Sequence, residues 1–316
     1  MNHFISLLQL GRLKRLTFRN LGQPSSKLGF LAIAIAATLW AIAAIVASGL
    51  FQAGVGPFEL ALSRAMIAAV GLAVVGQVWR SPHRLLDGRI LLLGLSLALV
   101  TASYYVAIDR LSVAVAIVIQ YTAPAIVVVI KALNTRQLPA PMTVIAVVAA
   151  LSGVAFVSGL GTSQLQLDGL GLIAAGLSAI FFTSYTLFSE AVVDTYGATG
   201  VMFRGFIVSS LFWLAFQVTQ GFPTAVFLPA NLPGIVFVGI GGTLVPFSLL
   251  CWGIQQVRAE RGAIAATLEP VFAAVLAWIW LGQTLSVLQM VGGGLVLAAV
   301  VSLQLQQAWN GAKIKS

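Results

Sequence analysis

Charge is what this sequence most lacks. Asp, Glu, Lys and Arg make up 8% of its 316 residues, where a soluble protein needs about a quarter to clothe its surface. With 59% hydrophobic residues and a mean hydropathy of +1.02, the chain cannot be two ordinary soluble domains. Cysteine is nearly absent: Cys251 stands alone in an apolar run, which excludes a disulfide framework. Histidine is almost as scarce. His3 and His83 fall in a tail and a loop, so the interior lacks the commonest metal ligand, and no metal or cofactor is expected. A Walker-type phosphate loop is missing, which argues against ATP hydrolysis within the chain. The interior offers no His-x-x-x-His or Asp-x-x-Asp pair, so a membrane-embedded enzyme is the weakest reading.

What is present is a series of apolar runs near the ~20 residues that cross a ~30 Å hydrocarbon layer. They fall at about 29–49, 57–79, 90–108, 113–133, 141–160, 169–189, 199–219, 233–254, 262–281 and 286–307. In lipid the backbone must satisfy its own hydrogen bonds, so each run is expected to be a helix. The fold class is therefore all-α, a polytopic bundle of ten transmembrane helices. Connections are short and carry turn residues, among them Gly54-Val55-Gly56-Pro57, Gly221-Phe222-Pro223 and Asn231-Leu232-Pro233.

The net charge of +9 follows topology rather than nucleic acid. With a cytoplasmic N-terminus, Arg12, Lys14, Arg15, Arg19, Lys27, Arg80, Arg84, Arg89, Lys131, Arg136, Arg258, Arg261, Lys313 and Lys315 lie inside. Arg110 alone lies opposite, while Arg64 and Arg204 fall within apolar segments. That asymmetry predicts both termini in the cytoplasm. Residues 1–28 form a basic tail without the apolar run and cleavage site of a signal peptide. Phe4, Ile5, Leu7, Leu8, Leu13 and Leu16 suit a helix lying on the membrane surface, and a disordered tail fits equally well.

The chain repeats itself. AIDRLSVAVAIVIQYTAP (107–124) and GIQQVRAERGAIAATLEP (253–270) align without a gap at a shift of 146, ending on Pro124 and Pro270. Ser63-Arg64-Ala65 answers Phe203-Arg204-Gly205 at a shift of 140. Five spans per repeat means that the two halves enter the membrane in opposite senses, the layout of many secondary transporters.

GPFELALSRAMIAA (56–69), ATLEPVFAAVLAWIWLGQ (266–283) and the five-plus-five layout resemble the drug/metabolite transporter superfamily, in its EamA-type branch of ten-helix proteins. The resemblance covers about residues 29–307. It implies a cytoplasmic tail (1–28), a first EamA-like five-helix repeat (29–160), a second (161–307) and a cytoplasmic C-terminal tail (308–316). It also implies movement of a small-molecule substrate, such as an amino acid, across a bacterial inner membrane. The sequence departs from the branch where a glutamate commonly follows the fourth and ninth helices: it has Thr135-Arg136-Gln137 and Gln283 there.

Glu269 is the leading candidate for chemistry. A carboxylate inside a span costs at least a few kcal/mol, so it should face the bundle or a water-filled cavity. It reads as a proton or substrate-amine site, with permanent pairing for packing as the alternative. Gly262, Ala266, Glu269, Ala273 and Ala277 are expected to share one helix face. Pro270 and Pro124 break their helices and release the carbonyls of Ala266 and Gln120. Gln120 and Tyr121 add neutral donors and acceptors in the repeat-related place. Trp40, Tyr104, Tyr105, Tyr185 and Trp252 lie on the helices that, by the resemblance, surround a central cavity. Gly239, Gly241, Gly242 and Pro246 mark a weak or kinked helix, and Gly292-Gly293-Gly294 a packing seam. Arg64, five residues after Glu59, and Arg204, with Glu190 and Asp194 in the loop before it, are expected to be structural, each paired with a carboxylate near its own membrane surface or reaching for it. Direct binding of an anionic substrate is the alternative. The function expected is export of small metabolites such as amino acids by alternating access, coupled to a proton through Glu269, with an uncoupled facilitator as the rival reading.

Overall fold

Proline and glycine decide where these helices start, stop and bend. The computed structural model describes residues 26–74, 88–111, 113–159, 168–221, 224–281 and 286–313. The basic tail before Ser26, read as a surface helix or a disordered segment, lies outside the described residues, as does Gln283. Helix α1 (Ser26–Gln52) meets α2 (Pro57–Val74) through a turn at Gly54, whose φ of 88° favours glycine. Pro57 opens α2, and the Gly56 N–H donates to the Glu59 carboxylate at 3.1 Å, one half of a capping box.

Helix α3 (Gly88–Arg110) follows, then α4 (Val113–Gln120), α5 (Ala123–Thr135) and α6 (Pro141–Val157). Helix α7 (Gly169–Gln220) begins where Asp168 accepts from the Gly171 N–H at 2.8 Å. Beyond it come a short 3₁₀ turn (Ala225–Phe227), α8 (Leu232–Gly239), a π-helical turn (Ile240–Leu244) and α9 (Val245–Val257). The chain closes with α10 (Ala259–Ala266), α11 (Leu268–Leu281) and α12 (Val287–Lys313). Pro124, Pro141, Pro233 and Pro270 lie in the first turn of a helix, where the missing N–H has no intrahelical partner to lose, whereas Pro246 follows directly on the π-helical turn of a continuous helical stretch.

All regular structure among the described residues is helical. Six stretches are long and apolar enough to cross a membrane: 26–52, 57–74, 88–107, 115–135, 169–220 and 232–257. Residues 141–157 and 287–303 form shorter apolar helices. These are the features of a polytopic membrane protein. A straight helix of 52 residues would be about 78 Å long. Gly197, with φ 70° and ψ 159°, bends α7 into two arms. The connection expected between residues 189 and 199 is thus mostly helix, and Glu190 and Asp194 sit on α7 rather than in a loop. Only Gly197 interrupts that stretch.

Small residues let the helices close up. A Cβ added at Gly153 on α6 would meet the Gly292 carbonyl oxygen at 2.6 Å, and one at Gly292 on α12 would meet the Gly153 oxygen at 2.7 Å. The expected seam is therefore real at Gly292, whereas Gly294 faces open space. Ile33, Leu93, Phe188, Leu250, Ile254 and Ile264 are enclosed in the main core, and Leu60 in a smaller cluster with Leu50 and Ile235. Leu133, Ile145, Val148, Ile173, Val218 and Leu305 face outward, an apolar exterior suited to lipid. Two shallow apolar grooves of about 370 and 360 Å³ indent that exterior, and neither contains a candidate site residue.

Candidate functional site

The two repeat-related prolines sit just after two helix interruptions. Between α4 and α5 the chain turns at Tyr121-Thr122; between α10 and α11 it turns at Thr267. Each interruption carries a threonine that donates to the carbonyl three residues earlier. Thr122 bonds Ile119 O at 2.7 Å, and Thr267 bonds Ile264 O at 2.6 Å. Such hydroxyls offer a carbonyl at a helix end an alternative partner. The Thr267 break also corrects the expectation of one unbroken face through Gly262, Ala266, Glu269, Ala273 and Ala277: the first two belong to α10 and the rest to α11.

The breaks meet. Tyr121 Oη donates to Glu269 Oε2 at 2.6 Å, joining residues 148 positions apart in sequence. Tyr121 is buried and Glu269 half-buried. Arg64 and Tyr104 both lie close enough to act electrostatically on the Glu269 carboxylate. Gln120 and Trp252 are half-buried, and among the described residues neither makes a side-chain hydrogen bond. Pro124 and Pro270 are buried beside the pair.

Arg64 departs from the pairing expected with Glu59, whose carboxylate is engaged by Gly56 N–H. Its Nε donates instead to Thr243 Oγ1 at 2.9 Å, and its guanidinium lies 5.7 Å from the Phe247 ring centroid. Thr243 belongs to the π-helical turn and also bonds Val238 O at 2.8 Å. Pro246, expected to mark a kink, lies just after that turn, in the first turn of α9. Arg204 is 2% exposed; its Nη1 donates to Gly200 O at 3.0 Å, and its guanidinium covers Tyr196 at 4.9 Å.

Phe247 is the aromatic that the sequence reading missed. Trp40, Tyr185 and Phe206 meet its ring edge-on at 5.0, 5.7 and 5.7 Å. Its position directly after Pro246 was the available signal. Tyr185 is wholly enclosed and lines no open space in this conformation. Tyr105 instead joins a cluster with Phe51 and Phe58, which continues to Trp213 and Phe216. At the opposite end of the bundle, Glu190 binds Lys131 at 2.7 Å and lies 3.8 Å from Arg258, while Gln255 donates to Asp194 at 3.2 Å. One end thus gathers rings and the other charges.

The model of the EamA-like transporter family matches the sequence twice, over residues 27–159 and 169–304. This chain belongs to that family. It is an integral membrane protein with transporters for relatives. It is 24% identical over 290 residues to the inner membrane transporter YicL of Salmonella typhimurium, covering 89% of this chain and 96% of that one. A transporter of Archaeoglobus fulgidus is 26% identical over 66% of this chain and 74% of its own length. The threonine/homoserine exporter RhtA of Escherichia coli is 24% identical over 66% and 68%. A solved crystal structure shares the fold with a TM-score of 0.74 at 16% identity, over 89% of this chain and 98% of that one.

Proposed function

We propose that the protein is a secondary transporter that exports small metabolites such as amino acids, by alternating access between two inverted five-helix halves. In this reading α7 supplies two spans, one on each side of Gly197, and the paired segments α4/α5, α8/α9 and α10/α11 supply one each, giving ten. The carrying observation is the Tyr121–Glu269 hydrogen bond, made between the two helix interruptions. A membrane-interior carboxylate on that joint is placed to exchange a proton as the halves move. Protonation would turn a charge-assisted hydrogen bond into a weaker neutral one, loosening the joint. In this reading both termini face the cytoplasm, as the positive-inside count supports, and Lys131, Glu190 and Arg258 lie at the cytoplasmic end. The ring cluster of Phe51, Phe58, Tyr105, Trp213 and Phe216 then closes the outer end. RhtA, an exporter of threonine and homoserine, supports the choice of substrate class.

The test is purified protein in liposomes, with counterflow of labelled amino acids and other metabolites measured with and without a pH gradient. Wild type should exchange solute and respond to the gradient. Glu269→Gln should keep counterflow and lose the response. No solute movement across a broad panel would overturn the transporter reading. A gradient response that survives Glu269→Gln would remove the coupling role from that residue.

A further inference from the structure

Arg64 and Arg204 occupy repeat-related places, yet their surroundings differ. Arg204 is sealed into the packing by the Gly200 carbonyl and the Tyr196 ring. Arg64 is half-buried, and the groups against its guanidinium are neutral: one threonine hydroxyl, through Nε, and one aromatic face. No carboxylate among the described residues lies within 4.0 Å of it. The Nη edge of the guanidinium therefore has no anion in contact, and Glu269 acts on it only from a distance. A second donor stands at the same ring. Trp40 Nε1 is buried without a hydrogen-bond acceptor, and its indole packs edge-on against Phe247, the ring beneath Arg64.

A guanidinium in a membrane interior with no anion in direct contact is costly, and so is a buried N–H without an acceptor. A carboxylate carries the acceptors that both groups lack: its two oxygens match the planar fork of arginine, and it has lone pairs to spare for an indole N–H. Glu269, within electrostatic reach of Arg64, adds a negative pole close by. One cation beside one carboxylate suits a zwitterion, whereas a phosphate dianion would leave uncompensated negative charge.

We propose that Arg64, assisted by Trp40, is the seat for the carboxylate of the transported solute, so that the substrates are amino acids and not amines. This rests on the transporter reading above and deepens it. Thr243, on the π-helical turn, holds Nε and leaves the Nη edge for the ligand.

The experiment uses the full chain in liposomes and compares L-amino acids with their matched amides, L-threonine with L-threoninamide and L-phenylalanine with L-phenylalaninamide, as competitors of counterflow. Inorganic phosphate is a further competitor. In wild type the acid should compete at least about tenfold better than its amide, the loss expected when a charge-assisted hydrogen bond goes. Arg64→Gln should erase that ratio, and Arg64→Lys should retain part of it. Should Arg64→Gln fail to fold, Trp40→Phe, which keeps a ring and removes the N–H, should weaken competition by the acid about threefold or more. Amides competing as well as acids in wild type would overturn the proposal while leaving transport intact. So would phosphate competing better than either acid. Absence of counterflow for every compound would overturn this proposal together with the transporter reading.

Discussion

Replacing Gly292 with alanine puts a methyl carbon 2.7 Å from the Gly153 carbonyl oxygen, 2.7 Å from Phe156 Cβ and 2.8 Å from the Val157 amide nitrogen. Two of those atoms are backbone and the third is fixed to it, so no side-chain rotation relieves the contact. Ordinary carbon contacts are about 3.5–4.0 Å, so α6 and α12 must part by most of an ångström. Overpacking of this kind costs about 1–3 kcal/mol. Against it stands a gain of about 0.5–1 kcal/mol for alanine over glycine inside a helix. The clash prevails. Gly294, two residues on, has nothing within 4 Å of its added Cβ and keeps only the gain; Gly293 meets Val271 Cγ1 at a comfortable 3.5 Å. The assay is thermal unfolding of detergent-purified protein followed by tryptophan fluorescence. Gly292→Ala should lower the apparent midpoint by several degrees, at about 2–4 °C per kcal/mol, and Gly294→Ala should leave it unchanged or slightly raised. A Gly292→Ala midpoint at or above wild type would refute the reasoning, as would equal losses at both positions.

Tyr121→Phe removes the donor to Glu269 and leaves the ring; losing a charge-assisted hydrogen bond of 2.6 Å costs about 1.5–3 kcal/mol. Gradient-driven flux should fall at least about tenfold while the thermal midpoint moves by only a few degrees, and an unaltered flux would remove Tyr121 from the mechanism. Glu190→Gln releases Lys131 and Arg258 at one end of the bundle. The native Cys251, now buried, then serves as a reporter: its modification by N-ethylmaleimide should accelerate severalfold, and an unchanged rate would show that these charges do not hold that end shut.

Periodic features were legible in the sequence because they are local. Pro124 and Pro270 announced two helix interruptions, and the cluster of Gly239, Gly241 and Gly242 announced the irregular turn that proves to be π-helical. The long-range pairings were not legible. Nothing near Tyr121 indicates that its hydroxyl points to a carboxylate 148 residues away, and Glu59 looked a natural partner for Arg64 until its own helix start claimed it. Likewise the stretch around Glu190 and Asp194 reads as a polar loop, yet the helix runs on to Gly197 although Val192, Val193, Asp194 and Thr195 are weak helix formers. Composition reports where a chain turns polar; packing decides whether it also stops being helical.

The joint between Tyr121 and Glu269 bears on how such a chain could have arisen. At the shift of 146, Tyr121 corresponds to Thr267 and Ala123 to Glu269. Two copies of the first half would set a phenol against an alanine, and two copies of the second a carboxylate against a threonine. Neither self-pairing would rebuild the bond. On the reading of two repeated halves, the contact therefore needs one copy of each.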